Sequence, residues 1–416
     1  MGRRKQSPPY IVRPDTALLT EGFDPRLSVG SARPAVFRSS TYVFSSPEAA
    51  ERSFAIALGK IEPTENESVE LIYSRLSHPN AEILEDHLVP LEPGAVGAAV
   101  FNSGMAAIST VLFTTCRPGT SIVYTAPIYG GTYHLLQQVL SPFGVRSIPV
   151  AAGDTAGLRK AIADAENLRI VLIETPANPT LRMTDVAAAV KAAHDREEPP
   201  IVAVDNTFLG PVFQHTLPLG ADLAVYSGTK FLAGFSDMLA GAILGKDPHL
   251  LAELRGTRAI LGNILQPDEC WMLDTRLATL SLRMNKQSKN AKKIVDALVG
   301  HPNIERIHYP ALFDETDQRR ICAAQARFPG SIFSLVLKGG KTAAFEFLRR
   351  LRIAKDAVSL GGMESLACHP ASTTHSEMPP DEQKRYGIVG GLVRLSVGVE
   401  DWRDLLRDFQ EALGAT

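Results

Sequence analysis

The amino-acid sequence predicts an α/β protein with a mostly parallel sheet in a large domain and a smaller α+β domain toward the C-terminus. Three observations support this fold class. From about residue 96, short apolar runs alternate with segments that have a helical pattern. The apolar runs do not alternate apolar with polar residues, which is typical of strands covered on both faces. After residue 266 the strand-like and helical runs follow each other in a looser order, as in α+β domains.

The large domain is expected to span residues 65–265, and its elements alternate in type along the chain. The runs predicted as strands are GAAVF, SIVYTA, RSIPV, RIVLIET, IVAVD and LAVYS. The segments predicted as helices are GMAAISTVLFTTC, GGTYHLLQQVL, AGLRKAIADAE and TDVAAAVKAAHD. Parallel neighbouring strands need such crossover connections, so this order favours a parallel sheet.

The two ends of the chain have looser patterns. Residues 266–416 are expected to form the small domain, with the helical patterns LATLSLRMNKQSKNAKKIVDALVG, TAAFEFLRRL and WRDLLRDFQEAL and the strand-like runs IFSLVL and VRLSVGV. Residues 1–64 contain many turn formers and little periodicity. They are therefore predicted to form an extended arm that packs on another surface.

Composition and charge exclude several classes of function. The chain has 416 residues and a net charge of −2, so it lacks the basic excess that would favour nucleic acid or an anionic membrane. No window approaches the roughly 18 uncharged apolar residues of a membrane span. The cysteines are too scattered for a metal or redox motif and predict reduced thiols in a cytoplasmic protein without a metal site. They are Cys116, Cys270, Cys322 and Cys368.

Polar residues directly follow the predicted strands of the large domain. In α/β sheets, ligands bind beyond the carboxyl ends of the strands, so these residues are the candidates for a site. The stretches are NSGM (102–105), IYGGT (128–132), ETPANP (174–179), DNT (205–207) and SGTK (227–230).

Two of these residues, Asp205 and Lys230, suggest a particular cofactor. Taken alone, a strand-end aspartate is usually a helix cap or turn former, and a strand-end lysine is usually exposed. Together they match the needs of pyridoxal 5'-phosphate (PLP), which requires an amine for covalent attachment and a carboxylate that keeps the pyridine nitrogen protonated. The cofactor's phosphate would be held by backbone N–H groups at a helix start and by hydroxyls. The residues that would supply them are Ser103, Gly104, Met105, Ser227 and Thr229.

The sequence also resembles a known family, the Cys/Met-metabolism PLP enzymes. This family includes cystathionine γ-synthases, cystathionine and methionine γ-lyases, and O-acylhomoserine sulfhydrylases. The resemblance runs from IYSRLSHPNAEILEDHL through SGTKFLAGFSDMLAG to SLGGMESLACHPASTTH and GLVRLSVGVED. It implies a fold-type I, aminotransferase-like subunit that assembles as a homotetramer, a dimer of active dimers, with residues 1–64 contacting the neighbouring subunit.

The resemblance assigns roles at the cofactor. It implies that Lys230 binds PLP covalently, that Asp205 pairs with the pyridine nitrogen, and that Tyr129 stacks on the ring and exchanges protons during catalysis. Tyr73 and Arg75 would reach the phosphate of the neighbouring subunit. Without the resemblance, the ordinary interpretation of Tyr73 and Arg75 is an amphipathic pair at a helix entry.

Further roles are implied at the substrate. Arg394 resembles the clamp for the substrate α-carboxylate, for which its two-pronged set of donors is suited. The alternative is a structural salt bridge with Glu400 or Asp401. Ser359 and Asn178 would assist at the carboxylate and at a cofactor oxygen, although buried Ser and Asn side chains also commonly just satisfy backbone groups.

The chain departs from the family pattern at several positions. GFSD places Phe235 where the family commonly has a histidine, and SHPN stands where the family commonly reads Asn-Pro-Thr. Gly131 stands where methionine γ-lyases often have a cysteine, which weighs against that activity. Glu364 either receives the distal ammonium group of cystathionine or is an ordinary loop glutamate.

The predicted function is γ-elimination or γ-replacement on sulfur amino acids or O-acylhomoserine, of the cystathionine γ-synthase or γ-lyase type. Methionine γ-lyase and O-acylhomoserine sulfhydrylase are the alternatives within the family. A non-catalytic oligomeric scaffold of the same fold is the alternative of another class. The presence of both Lys230 and Asp205 argues against the scaffold, which would need neither group at these strand ends.

Overall fold

The computed structural model describes residues 13–20, 22–64, 67 and 69–414. The strands are β1 (Gly97–Phe101), β2 (Ser121–Ala126), β3 (Arg146–Ala151), β4 (Leu168–Glu174), β5 (Ile201–Asp205), β6 (Leu223–Ser227), β7 (Gly241–Gly245), β8 (Ile304–His308), β9 (Ile332–Leu337), β10 (Lys355–Asp356), β11 (Leu366–Cys368) and β12 (Leu392–Ser396). The helices are α1 (Pro14–Thr20), α2 (Pro47–Ala57), α3 (Pro79–Leu88), α4 (Gly104–Thr115), α5 (Gly130–His134), α6 (Thr155–Asp164), α7 (Val186–His194), α8 (Pro248–Leu261), α9 (Pro267–Leu277), α10 (Leu280–Leu298), α11 (Thr316–Gln325), α12 (Gly340–Arg350), α13 (Pro380–Arg385) and α14 (Trp402–Leu413).

The larger sheet has seven strands in the order β1-β7-β6-β5-β4-β2-β3. The pairs among β2 to β6 are parallel, whereas β7 runs antiparallel to both β1 and β6. The predicted mostly parallel sheet is therefore confirmed. Because β2, β4, β5 and β6 run in the same direction, their carboxyl ends meet at one edge, where the strand-end residues collect.

Helices cover both faces of this sheet, which explains the unbroken apolar runs. Along β5, Val202 and Val204 pack in a core cluster with residues of α6 and α7. Ala203 points to the other face and packs in a cluster with residues of α4 and α8. Both faces of the strand are apolar, so its sequence does not alternate between apolar and polar residues as a half-exposed strand does.

The smaller sheet has five strands in the order β10-β11-β12-β9-β8. Its pairs are antiparallel except for β10 with β11, and α10, α12 and α14 pack against it or against one another, as expected of an α+β arrangement. Phe333, Phe347 and Phe409 form part of its core. One apolar cluster contains Ala224 of the larger sheet and Leu395 of the smaller one, so the two sheets share a core.

The N-terminal part differs from an extended arm at two places, Pro14–Thr20, where α1 forms, and Pro47–Ala57, where α2 forms. Ser46 caps this helix by accepting the backbone N–H of Ala49 (3.1 Å), and Pro47 occupies its first position. Elsewhere the segment exposes large apolar side chains, with Val29 and Val43 almost fully accessible. Residues 1–12 of the predicted arm lie outside the described residues.

Candidate active site

A cavity of about 320 Å³ lies at the carboxyl edge of the larger sheet, beside the smaller one. Most of the side chains that the sequence singles out line it. These are Ser103, Gly104, Met105, Tyr129, Asn178, Asp205, Ser227, Thr229, Lys230 and Arg394.

Lys230 lies in the turn that follows β6. Its Nζ donates a hydrogen bond to Ser359 Oγ (2.9 Å), and no acidic side chain of the described residues forms an ion pair with it. Burial, and to a lesser degree the positive charge of Arg394, lower the lysine pKa to about 8. The amine can therefore lose its proton near neutral pH, as a nucleophile or proton carrier must.

Asp205 ends β5 and faces the same cavity. Its Oδ1 accepts the backbone N–H (3.0 Å) and the hydroxyl (2.6 Å) of Thr207, which fix the orientation of the carboxylate. Burial raises the pKa of Asp205, and the hydrogen bonds from Thr207 oppose that shift. No cationic side chain of the described chain forms an ion pair with this carboxylate. A cation from a ligand would favour its charged form.

The start of α4 forms one wall of the cavity. Ser103 caps the helix, since its Oγ accepts a backbone N–H of the first turn (3.0 Å). A Cβ atom on Gly104 would lie 2.8 Å from Ser227 Oγ, so only glycine allows the helix end to approach β6 this closely. Thr229 Oγ1 accepts the backbone N–H of Ala240 (3.0 Å), which holds the Lys230 turn beside this wall. A helix N-terminus with adjacent hydroxyls is suited to a phosphate group.

Tyr129 precedes α5, and the residue is 41% exposed. The backbone around it is tightly packed. A Cβ atom on Gly131 would lie 2.7 Å from Tyr129 Cε1 and 3.0 Å from Met105 Sδ. A cysteine at position 131 would therefore displace the tyrosine ring in this structure.

Arg394 lies on β12 of the smaller sheet and is 3% exposed. Its Nη1 donates to Asn178 Oδ1 (3.0 Å). Its Nη2 donates to the carbonyl oxygens of Val358 (2.8 Å) and Ser359 (3.1 Å). These neutral acceptors orient the guanidinium without neutralising it.

The proposed alternative for Arg394, a salt bridge with Glu400 or Asp401, is wrong. Glu400 accepts the backbone N–H of Ser365 (2.6 Å) and its hydroxyl (2.9 Å), and Asp401 pairs with Arg403 (2.6 Å). Within the described ranges no carboxylate forms an ion pair with Arg394. A buried guanidinium without a counterion is the arrangement expected of a carboxylate-binding group.

Four predicted residues do not line this cavity, namely Ser359, Tyr73, Arg75 and Glu364. Ser359 is nevertheless held at it, because its hydroxyl accepts the Lys230 amine (2.9 Å). Tyr73 and Arg75 are exposed, with the Arg75 guanidinium 5.8 Å from the Tyr73 ring centroid and its Nη1 donating to the Ala259 carbonyl (2.6 Å). Glu364 lies near Gly362, because a Cβ atom on that glycine would be 3.0 Å from Glu364 Oε2. A single subunit therefore does not bring Tyr73, Arg75 and Glu364 to the others.

Glu174 and Thr207 line the cavity although the sequence analysis assigned them no role. Glu174 ends β4 directly opposite Asp205 in the register of the two parallel strands. The signal was present in the sequence, since Glu174 closes an apolar run in the same way as Asp205. An acid at a strand end is so often a cap that the position alone could not distinguish the two.

The cavity fits PLP by the chemistry of its donors. It presents an amine of lowered pKa, a carboxylate without a cation, a helix N-terminus with adjacent hydroxyls, and a guanidinium without an anion. The amine suits the cofactor's aldehyde, the carboxylate suits its pyridine nitrogen, and the helix N-terminus suits its phosphate. The guanidinium suits the carboxylate of an amino-acid substrate. Lys230, Asp205 and the α4 wall would hold the cofactor.

A comparison with protein-family models matches residues 15–414 to the Cys/Met metabolism PLP-dependent enzymes. The chain belongs to this family. The chain is therefore a PLP-dependent enzyme, and the family resemblance inferred from its motifs is confirmed.

Curated relatives and solved structures agree with this assignment. The chain is 38% identical over 402 residues to an L-methionine gamma-lyase of Pseudomonas putida, covering 96% of this chain and 97% of the relative. It is 37% identical over 341 residues to a cystathionine gamma-lyase of Bacillus subtilis, covering 82% and 88%. A cystathionine gamma synthase of Xanthomonas oryzae pv. oryzae, solved in complex with cystathionine, superposes with a TM-score of 0.87 at 32% identity, covering 97% and 98%. The fold-type I assignment is thus confirmed.

The described residues contain neither a membrane-spanning helix nor a cluster of metal-binding side chains. No helix among them is long and apolar enough to cross a membrane. No group of three or more His, Cys, Asp or Glu side chains in the same residues is arranged to hold a metal ion.

Proposed function

We propose that this enzyme is a carbon–sulfur lyase that carries out γ-elimination on a thioether amino acid, with cystathionine as the first candidate substrate. The observation that carries the proposal is the convergence of Lys230, Asp205 and Arg394 on one cavity, each without an oppositely charged partner in the described chain. In a non-catalytic scaffold these unpaired buried groups would lower the stability of the fold and have no function. The named lyases among the relatives support the same activity.

Each residue of the cavity has its own role in the proposed reaction. Bound PLP supplies an electron sink that makes the substrate Cα–H acidic. Arg394 binds the α-carboxylate through its two-pronged face, and Asn178 and Ser359 orient that face. Asp205 would keep the pyridine nitrogen of the bound cofactor protonated. Lys230 would move protons between the substrate Cα and the neighbouring carbons as general base and acid, once the substrate amine has released it from the cofactor.

Tyr129 lines the same cavity, where it would stack on the bound ring and exchange a proton with Lys230 or with the departing sulfur. The sulfur would leave from Cγ with the bonding electron pair and take a proton from Tyr129 or Lys230, which gives the thiol. Water would then replace the substrate nitrogen, which gives a 2-oxo acid and ammonia. If a thiol adds before hydrolysis, the same residues perform γ-replacement, which is the reaction of the synthase-type relatives.

Methionine is the second candidate substrate, because the Pseudomonas putida relative is named an L-methionine gamma-lyase and is covered almost completely. Gly131 favours cystathionine instead. A side chain at this position would displace the Tyr129 ring or the Met105 sulfur, whereas methionine γ-lyases often have a cysteine there. Glu364 is proposed to receive the distal ammonium of cystathionine.

The proposed assembly is a homotetramer built from active dimers. Tyr73 and Arg75 are exposed and outside the cavity of their own subunit, which suits side chains that complete the phosphate site of a neighbour. The exposed Val29 and Val43 of the N-terminal segment, proposed as residues 1–64, would be covered by the same contact. We place the domain boundary at residue 265, between α8 and α9, so that residues 65–265 form the large domain and residues 266–416 the small one. The four free cysteines suit a cytoplasmic location.

Product analysis of the purified, PLP-loaded protein tests the function. L-cystathionine, L-methionine, O-acetylhomoserine and O-succinylhomoserine are supplied separately, the esters with and without cysteine or sulfide. Release of 2-oxobutanoate from cystathionine without a thiol acceptor is expected, and a higher kcat/KM for methionine would assign the second candidate. Consumption of an acylhomoserine with formation of a thioether, and no 2-oxobutanoate from either thioether, would contradict the proposal.

A further inference from the structure

Glu174 is a buried carboxylate that none of the steps above uses. It ends β4, is 4% exposed and lines the cavity opposite Asp205. Both of its oxygens are engaged by backbone groups of other turns. Oε2 accepts the N–H of Tyr129 (2.9 Å), and Oε1 accepts the N–H of Asn178 (2.7 Å).

These two hydrogen bonds connect the turns on either side of the cavity. The Tyr129 turn follows β2 and carries the aromatic ring. The Asn178 turn follows β4, and its side chain accepts the Arg394 guanidinium (3.0 Å). Glu174 therefore fixes both the turn that carries the Tyr129 ring and the turn whose Asn178 side chain orients Arg394, with one hydrogen bond to each turn.

The requirement at this position is for two acceptors. A glutamine has one acceptor oxygen, and its NH₂ group would face a backbone N–H that also donates. An aspartate keeps both oxygens but is one methylene shorter, so it cannot span both turns. Only a glutamate satisfies both N–H groups without moving either turn.

We propose that Glu174 is a positioning residue that holds Tyr129 and the Asn178–Arg394 pair in register across the cavity. The proposal rests on the function proposed above, because it presumes that these groups bind the ring and the substrate carboxylate. Glu174 acts through the two turns.

A buried carboxylate with two backbone donors could instead serve stability alone, and the chain contains a matched case. Glu92 is 0% exposed and accepts the N–H groups of Thr216 (2.6 Å) and Leu217 (2.9 Å) as well as the Tyr226 hydroxyl (2.6 Å). It does not line the cavity. In Glu92→Gln the amide oxygen can still accept both N–H groups, which share one oxygen of Glu92, and the NH₂ group replaces the acceptor of the Tyr226 hydroxyl. The variant therefore removes one hydrogen-bond acceptor from a buried glutamate away from the site.

The test compares PLP-loaded wild type, Glu174→Gln and Glu92→Gln. The probe is L-norleucine, which has the chain length of methionine but no sulfur to eliminate, so its Kd reports binding without turnover. Visible circular dichroism of the bound PLP reports the packing of the Tyr129 ring. Melting temperature reports stability, and KM and kcat are measured on the better thioether substrate.

For Glu174→Gln, the norleucine Kd and the KM are expected to rise roughly tenfold or more, since the NH₂ group replaces an acceptor of one backbone N–H and the clamp moves. The visible circular dichroism is also expected to change. Glu92→Gln is expected to lower the melting temperature while leaving Kd, KM and the visible spectrum at wild-type values. If Glu174→Gln does not fold, Glu174→Asp is the second variant, with the same direction of change expected in Kd and in the spectrum.

A Glu174 variant whose Kd and spectrum match those of Glu92→Gln would overturn the positioning role while leaving the proposed function intact. Conversely, a wild type that binds PLP and norleucine but releases no 2-oxo acid would overturn the proposed function. The Kd comparison would still decide the role of Glu174 in that case.

Discussion

Two arginines that are equally buried have opposite surroundings. Arg258 and Arg394 are each 3% exposed. Arg258 pairs with Glu85 (2.7 Å), and both side chains lie behind β1. Arg394 instead contacts neutral acceptors only and faces the cavity.

The difference distinguishes charged side chains that stabilise the fold from charged side chains that bind a ligand. Arg258 brings its own carboxylate, because an unpaired buried charge costs several kcal/mol. Arg283 is also buried without a carboxylate in the described chain, but it donates to the backbone carbonyls of Phe231 and Leu232 and does not line the cavity. Arg394, Lys230 and Asp205 lack such partners within the described chain and all line one cavity. It is therefore the convergence of three unpaired charges on one cavity, rather than the lack of a partner at any one of them, that marks the place where cofactor and substrate supply the missing partners.

The largest expected effect is at Lys230. Lys230→Ala should lower kcat by at least about 10⁴-fold, because both the covalent attachment and the proton transfers are lost. The free energy of unfolding of the cofactor-free protein should not fall. The reason is that the folded state lowers the pKa of this amine, so below about pH 8 the charged amine opposes folding.

Lys246→Ala is the matched control for Lys230→Ala. Lys246 donates to the Gly220 carbonyl (2.8 Å) away from the cavity, and its removal should leave kcat unchanged. A Lys230→Ala protein that retains turnover would break the distinction between charges kept for a ligand and charges paired in the core.

The two arginines themselves give the second prediction. Arg394→Leu should raise KM roughly 100-fold, since charge-assisted bonds to the substrate carboxylate are lost. Arg258→Leu should instead lower the free energy of unfolding by about 2 kcal/mol, because the buried Glu85 loses one charged hydrogen-bond partner and keeps only Arg255 (3.0 Å). Steady-state kinetics and denaturant titration of both variants check the pair, and equal losses of stability would contradict the comparison.

The pH dependence of cofactor capture gives the third prediction. The second-order rate of PLP uptake by the cofactor-free protein should rise about tenfold per pH unit and level off near pH 8, because only the neutral amine reacts. In Arg394→Leu the plateau should move to higher pH, since one positive neighbour is removed. N-acetyl-lysine amide measured in parallel provides the unburied reference, and a profile for the protein that matches this reference would refute the lowered pKa.

The smallest effect concerns Phe235, which replaces the usual histidine. Its ring centroid lies 4.9 Å from the Arg276 guanidinium carbon and 5.7 Å from that of Arg283. Phe235→Leu keeps most of the apolar surface but removes the aromatic face, so we expect the free energy of unfolding to fall by about 1 kcal/mol. Denaturant titration measures this, and an unchanged value would show that the two cations do not use the ring.

The large sheet and its edge residues could be predicted because their signals are local. Asp205 and Lys230 each follow an apolar run, and parallel strands bring such ends together. Arg394 is different, because it lies on an antiparallel strand of the other sheet, 216 residues from the Asn178 that it contacts. No pattern in the sequence joins those two positions, and only the family resemblance suggested the role.

Glu174 and the N-terminal segment show two other limits. The importance of Glu174 depends on accepting an N–H from a turn 45 residues away, which periodicity cannot reveal. At residues 47–57 the cap formed by Ser46 and Pro47 starts a helix in a region with too little periodicity to predict one. Both misses concern contacts or caps rather than the hydrophobic pattern.

The most direct test of the central claim is to locate the covalent attachment of PLP. The PLP-loaded protein is reduced with borohydride, digested and analysed by mass spectrometry, so that the lysine bearing the reduced cofactor is identified. The account predicts the adduct on Lys230 alone, in the peptide that contains SGTKFLAGFSD. An adduct on any other lysine, or no adduct on a protein that turns over its substrate, would contradict it.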